Sequence, residues 1–118
     1  MTQDEIVKKY PGLFDKDFVI ECGAGWNLIV DELCGKISEY LKSQRWQLRK
    51  YFRVEQVKEK YGGLRFYVNV YMDDVENLIR EYEMKSFAVC EVCGQPGELR
   101  DDRHWLVTLC DSCHEGYQ

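Results

Sequence analysis

Two cysteine pairs constrain this chain more than anything else in it. Cys90-Glu91-Val92-Cys93 and Cys110-Asp111-Ser112-Cys113 are C-x2-C units separated by sixteen residues. Two residues between cysteines let both sulfurs converge on one ion, and four thiolates close a tetrahedral shell around a structural Zn²⁺. Gly94 follows the first pair, where such a knuckle must turn and a positive φ is favoured. The intervening segment holds Glu98-Leu99-Arg100, then Asp101-Asp102, then Trp105 to Leu109, which reads as strand, turn, strand. The second pair is then placed to open a short helix. The spacing predicts one Zn²⁺ per chain on Cys90, Cys93, Cys110 and Cys113.

Competing uses of these thiols fit less well. Two disulfides need an oxidising compartment, and the acidic start Met1-Thr2-Gln3-Asp4-Glu5 does not read as a secretory signal. A thioredoxin-type site uses one C-x2-C and leaves the other pair without a role. Cys22 and Cys34 are expected to be buried free thiols. His114, directly after Cys113, either replaces a cysteine as ligand, donates to a group beside the ligands, or, most simply, lies on the surface. His104 is expected to be an exposed strand residue.

Size explains why such a staple is needed. A chain of 118 residues buries only about two thirds of its unfolded surface. Its 45% hydrophobic and 31% charged residues are a globular composition. No apolar run reaches membrane-spanning length, so no membrane partner is expected.

Elements follow from local pattern. Thr2 and Glu5 form a capping box for a short helix through Tyr10, ended by Pro11-Gly12. Phe14 to Ile20 reads as a loop or short edge strand. Trp26, Ile29, Val30, Leu33, Ile37, Tyr40 and Leu41 recur at helical spacing, predicting an amphipathic helix from about 26 to 43. Residues 49–71 alternate at period 2 around a Tyr61-Gly62-Gly63 turn and read as a hairpin. An Asp N-cap at Asp73-Asp74 then opens a second helix to about Lys85, with Val75, Leu78, Ile79 and Tyr82 as its stripe. The expected fold class is α+β. Two amphipathic helices pack on an antiparallel hairpin or sheet over residues 1–86, and a four-cysteine zinc module of ribbon or treble-clef type occupies 87–118.

Charge is segregated along the chain. Residues 1–41 carry net −4, residues 42–65 carry +6, and residues 66–118 carry −7. Overall acidity opposes non-specific DNA binding, yet allows a local basic patch. The basic stretch interleaves Trp46, Tyr51, Phe52, Tyr61, Phe66 and Tyr67 with its cations. Outward aromatics could stack on bases, but a short chain is expected to turn most of them into its core. Two partner-binding sets emerge: the basic Arg49, Lys50, Arg53 and Arg65, and the acidic Asp101, Asp102 and Asp111.

A closed thiolate shell leaves no open position for a catalytic water, and no nucleophilic triad, phosphate loop or deaminase motif is present. Leu109-Cys110-Asp111-Ser112-Cys113-His114 resembles the tail of HNH nucleases. That family also needs a catalytic His, often paired, and usually an Asn between its cysteine pairs; here His104 stands alone with no Asn. A non-enzymatic binding protein is therefore expected, with a degenerate nuclease as the remote alternative and no small-molecule substrate inferred.

One broader resemblance covers residues 25–113. Gly25-Trp26, the run Val57-Lys58-Glu59-Lys60-Tyr61-Gly62-Gly63-Leu64-Arg65-Phe66-Tyr67, Cys90-Glu91-Val92-Cys93-Gly94-Gln95-Pro96-Gly97 and Leu109-Cys110-Asp111-Ser112-Cys113 together resemble a group of small uncharacterised phage and prophage proteins. The resemblance implies a zinc protein of the bacterial host cytoplasm, associated with a virus. It implies no particular activity; small acidic phage proteins often bind host factors, and with the closed zinc shell and segregated charge the expected partner is a host macromolecule, first of all a host protein such as a defence factor. The alternative is nucleic acid, met by the basic stretch 42–65.

Overall fold

The structure, a computed structural model, describes residues 1–116. The fold is α+β. Among the described residues it contains five α-helices and two separate antiparallel hairpins.

The first helix, α1 (Gln3–Lys9), has the expected capping box. Thr2 Oγ1 accepts the Glu5 amide at 3.1 Å, and the Thr2 amide donates to Glu5 Oε1 at 2.9 Å. Residues 10–23 wrap irregularly, burying Leu13, Phe14 and Ile20. The only ladder contact there is a parallel bridge between Glu21 and Lys58. A 3-10 turn at Ala24–Trp26 leads into α2 (Asn27–Lys42), which buries Ile29, Val30, Leu33, Cys34, Ile37 and Leu41.

The hairpin begins later than its alternation suggested. Trp46–Tyr51 form a short helix, α3, that buries none of its residues. Gln47, Leu48, Arg49 and Lys50 are good helix formers without β-branching, and strong apolar alternation starts only at Phe52. The strands are β1 (Val54–Lys60) and β2 (Gly63–Val68). A bulge between Val54 and Gln56 shifts the register, so Val57 follows Val54 into the core. Tyr61 and Gly62 make the turn at φ 54° and 83°, the paired positive values of a two-residue hairpin turn.

Helix α4 (Asp73–Ser86) has Met72 at its N-cap with no side-chain cap, rather than an Asp. Asp73, Asp74 and Glu76 instead occupy the first turn, where negative charge complements the helix dipole. Of the helices, α4 runs nearest to the sheet, beside β2, and α2 packs on α4. The edge of β2 is satisfied by that helix. Ser86 Oγ accepts the Leu64 amide at 2.9 Å, and Glu83 Oε2 accepts the Phe66 amide at 3.0 Å.

The C-terminal part contains β3 (Glu98–Arg100), paired with β4 (Val107–Leu109), then α5 (Asp111–Gly116). Cys90, Val107 and Leu109 form a small buried cluster apart from the main core. No described helix is long and apolar enough to cross a membrane.

Candidate metal centre and hairpin face

The four cysteines converge. Their Sγ atoms all lie within 4.8 Å of one another, and Cys93 and Cys110 are 3.5 Å apart. A tetrahedral thiolate site with metal–sulfur bonds of about 2.3 Å has sulfur–sulfur edges of about 3.8 Å, so the cluster fits a metal ion. The local sequence builds this shape. The Cys90 amide donates to Gln95 O at 2.8 Å, and the Gly94 amide to Cys90 O at 2.9 Å, closing the knuckle. Gly94 has φ 81°, as its position after the pair required. Cys110 and Cys113 flank the first turn of α5, where the Cys113 amide points at Cys110 Sγ at 3.4 Å. Burial pushes the Cys90 thiol up, but the amides of Cys110, Cys93 and Val92 outweigh it and bring it down to about 6. Neighbouring Cys110 and Cys93 push Cys113 up to about 12.

His114 lies outside the sulfur cluster. Its Nε2 is 3.1 Å from Asp102 Oδ2, its Nδ1 is 3.0 Å from an Arg103 nitrogen, and its carbonyl accepts from Arg103 at 2.8 Å. His104 is exposed in the loop between β3 and β4 rather than in a strand. Cys34 is buried and Cys22 partly so. Burial, with the charges of Glu91 and Glu59, pushes the Cys22 thiol up to about 12. Burial raises Cys34 as well.

Short contacts bind the metal knuckle to the rest of the chain. Gly25 N donates to Glu91 O at 2.7 Å, Gly23 N to Glu91 Oε2 at 2.9 Å, and Thr108 Oγ1 to Gly62 O at 2.6 Å. At Gly25 the approach is so close that a Cβ would lie 2.1 Å from Cys90 O.

The acidic set does not form one free patch. Asp111 pairs with Arg100 at 2.8 Å, and Asp102 faces His114; Asp101 is exposed. The basic set divides. Arg53 is held by Asp15 at 3.3 Å and by the carbonyls of Gly12, Lys50 and Phe52. Arg49 and Lys50 are exposed on α3. Arg65 sits on the outer face of the hairpin, opposite Lys58 in the register.

That outer face holds residues the two sets missed. Tyr67 pairs with Gln56, Lys58 Nζ stands 5.8 Å from the Tyr67 ring centre, and Lys60 Nζ stands 5.6 Å from the Tyr61 ring centre. Lys58, Lys60 and Arg65 make no ion pair with a carboxylate among the described residues. The expectation that most interleaved aromatics turn inward is overturned. Phe52 and Phe66 are buried, but Trp46, Tyr51, Tyr61 and Tyr67 are exposed, Tyr61 at 67%. The main core is filled without those four, by α1, α2, α4, the 10–23 segment and the inner face of the hairpin with Phe52. Tyr67 was legible as outward from its phase against Phe66.

Between the hairpin tip and the β3–β4 loop lies a groove of about 770 Å³, lined in part by Glu59, Lys60, Tyr61, Glu91, Arg103 and Trp105. Burial raises the Glu91 carboxyl from its ordinary value, the Gly23 amide opposes this, and the Glu59 charge adds to it.

No protein-family model matches the chain, no curated protein matches it, and no solved structure matches it.

Proposed function

We propose that this chain is a non-catalytic, zinc-stabilised protein of the bacterial host cytoplasm that binds single-stranded nucleic acid through the outer face of its β1–β2 hairpin. One observation carries the reading: Tyr61 and Tyr67 stand outward among Lys58, Lys60 and Arg65, which make no ion pair among the described residues. Aromatic faces stack on bases of any sequence, and cations beside them meet the phosphates. Zinc is the ion best matched to four thiolates in a reducing cell. The order knuckle, hairpin, helix suits a treble-clef-like module better than a ribbon. The closed shell supports a structural rather than a catalytic ion, and a viral origin in a bacterial host follows from the resemblance alone.

A host-protein partner is the second reading, favoured by α3. Trp46 and Tyr51 are exposed there beside Arg45 and Arg49, residue types that dominate protein interfaces. The experiment is capture from a bacterial lysate with and without nuclease, alongside direct titration of labelled single strands at two salt concentrations. Strand binding that weakens steeply with salt supports nucleic acid. A protein that survives nuclease, with no strand binding, replaces that reading with the second.

A further inference from the structure

The groove at the hairpin tip shares Lys60 and Tyr61 with the cationic face, and its chemistry differs from that of the face. Tyr67, Lys58, Lys60 and Tyr61 follow one another along the hairpin toward the tip. At about 3.4 Å per residue, Tyr67 and Gly63 are about 14 Å apart along β2, so a strand of a few nucleotides laid on this face reaches the tip, where Lys60 and Tyr61 also line the groove. There Tyr61 and Trp105 supply aromatic walls, exposed at 67% and 48%. Glu59 and Glu91 supply acceptors. Glu59 Oε2 is engaged by the Gly62 amide and Glu91 Oε2 by the Gly23 amide. The second oxygen of each carboxylate has no hydrogen-bond donor among the described residues. Lys60 and Arg103 also line the groove, adding positive charge.

Acceptors with aromatic walls and cations beside them describe a particular guest. It is planar, offers N–H donors at one edge and carries negative charge nearby. A lysine or arginine side chain would suit the carboxylates but would meet Lys60 as a like charge. An ionised carboxylate only accepts hydrogen bonds. Among the bases, the pairing edge of guanine presents two adjacent donors, its ring imide and its exocyclic amine. The edges of adenine, cytosine, thymine and uracil each set an acceptor beside their donor. Resting on the nucleic-acid reading above, we infer that the groove is a base pocket: it takes one unstacked guanine of the bound strand between Tyr61 and Trp105, with Glu91 accepting its two edge donors and Lys60 beside its phosphate.

The test uses the full-length zinc-loaded protein and four labelled ten-nucleotide thymine strands that differ only in one central base: G, A, C or unchanged T. Fluorescence anisotropy should rank the guanine strand roughly tenfold tighter than the others, the discrimination expected of one bidentate pair. Glu91→Gln keeps an acceptor for the Gly23 amide and replaces the other oxygen with a donor. It should erase the preference for the guanine strand, with zinc content measured alongside to confirm that the knuckle is intact. Trp105→Leu should weaken the guanine strand most. Equal binding of all four strands by the unaltered protein overturns the pocket and leaves the strand reading standing, and needs no variant to fold. Guanosine monophosphate that binds, with loss in Glu91→Gln but no strand affinity, supports the pocket and overturns the strand reading. An arginine-rich peptide that occupies the groove, with guanine strands failing to compete, overturns the inference.

Discussion

The indole Nε1 of Trp26 donates to the carbonyl of Val89 at 2.8 Å. Trp26 is fully buried at the start of α2, and Val89 is the residue before Cys90. One side chain therefore fills the main core with its ring and fixes the start of the metal knuckle with its single donor.

Trp26→Phe keeps most of the ring volume and removes that donor. A partly buried carbonyl is then left without its partner, at a cost of about 1 kcal/mol. Denaturant unfolding should show that loss, and competition with a chromophoric chelator should show weaker metal retention. Unchanged values for both would mean that the bond does not couple the two clusters.

Gly25 makes the same junction by backbone contact. Gly25→Ala would push a methyl into Cys90 O and the Glu91 backbone. Overpacking of this kind costs about 1–3 kcal/mol, and here it falls on the knuckle. The expected result is a chain that retains α2 and α4 by circular dichroism but releases metal more readily. A variant that holds metal as tightly as the parent would contradict the contact.

Removing the ion should act locally first. Thiolate coordination and folding of a small metal module are one process. Under reducing conditions, chelation should strip amide-exchange protection from residues 90–114, then loosen 23–26 and the hairpin tip, which bond directly to that module. The cores of α2 and α4 should stay protected. Elemental analysis should find one zinc per chain before chelation, and finding none in reduced protein would remove the metal assignment.

Much of this arrangement was legible in the chain, and the exceptions share a cause. The cysteine spacing, Gly94 and the Thr2–Glu5 cap are local signals, and each stands where local chemistry placed it. Helix α3 was missed because alternation was extended back past Phe52 into residues whose own preference is helical. The aromatics were misplaced because whether a ring is buried depends on what else fills the core. The irregular segment 10–23 supplies Leu13, Phe14 and Ile20, which no periodicity announces. The groove joins residues from three distant stretches, so no single window contained it.

Glu83 gives the fold a pH dependence with a definite sign. Burial raises its carboxyl above the ordinary 4.5, although the Phe66 amide and the Arg65 charge oppose this. A raised folded value means that the ionised form is disfavoured in the fold. Its contribution is therefore most favourable below the ordinary value and declines as pH rises from there through the folded value. Glu83→Gln keeps an acceptor for Phe66 and does not titrate. Its stability relative to the parent should rise with pH across that window and then level off. A difference that is flat with pH would show that Glu83 is not strained by its charge.

Charge reversal separates cations that could hold a ligand from those that hold the fold. Arg53 bonds to Asp15 and to three carbonyls, so Arg53→Glu places a carboxylate among acceptors and should lower stability. Any loss of binding in that variant is confounded by the loss of structure. Lys58 and Arg65 face each other on the outer sheet surface and make no ion pair among the described residues, although the Arg65 charge reaches Glu83, so Lys58→Glu with Arg65→Gln, which adds no like charge beside Glu83, should leave the thermal midpoint within a few degrees of the parent. The same pair should weaken single-strand binding by at least tenfold at low salt and flatten its salt dependence by about two phosphate contacts. Arg49→Glu with Lys50→Glu on α3 serves as the comparison. If the α3 pair abolishes strand binding while the hairpin pair leaves it intact, the interface lies on α3 and the hairpin assignment is wrong.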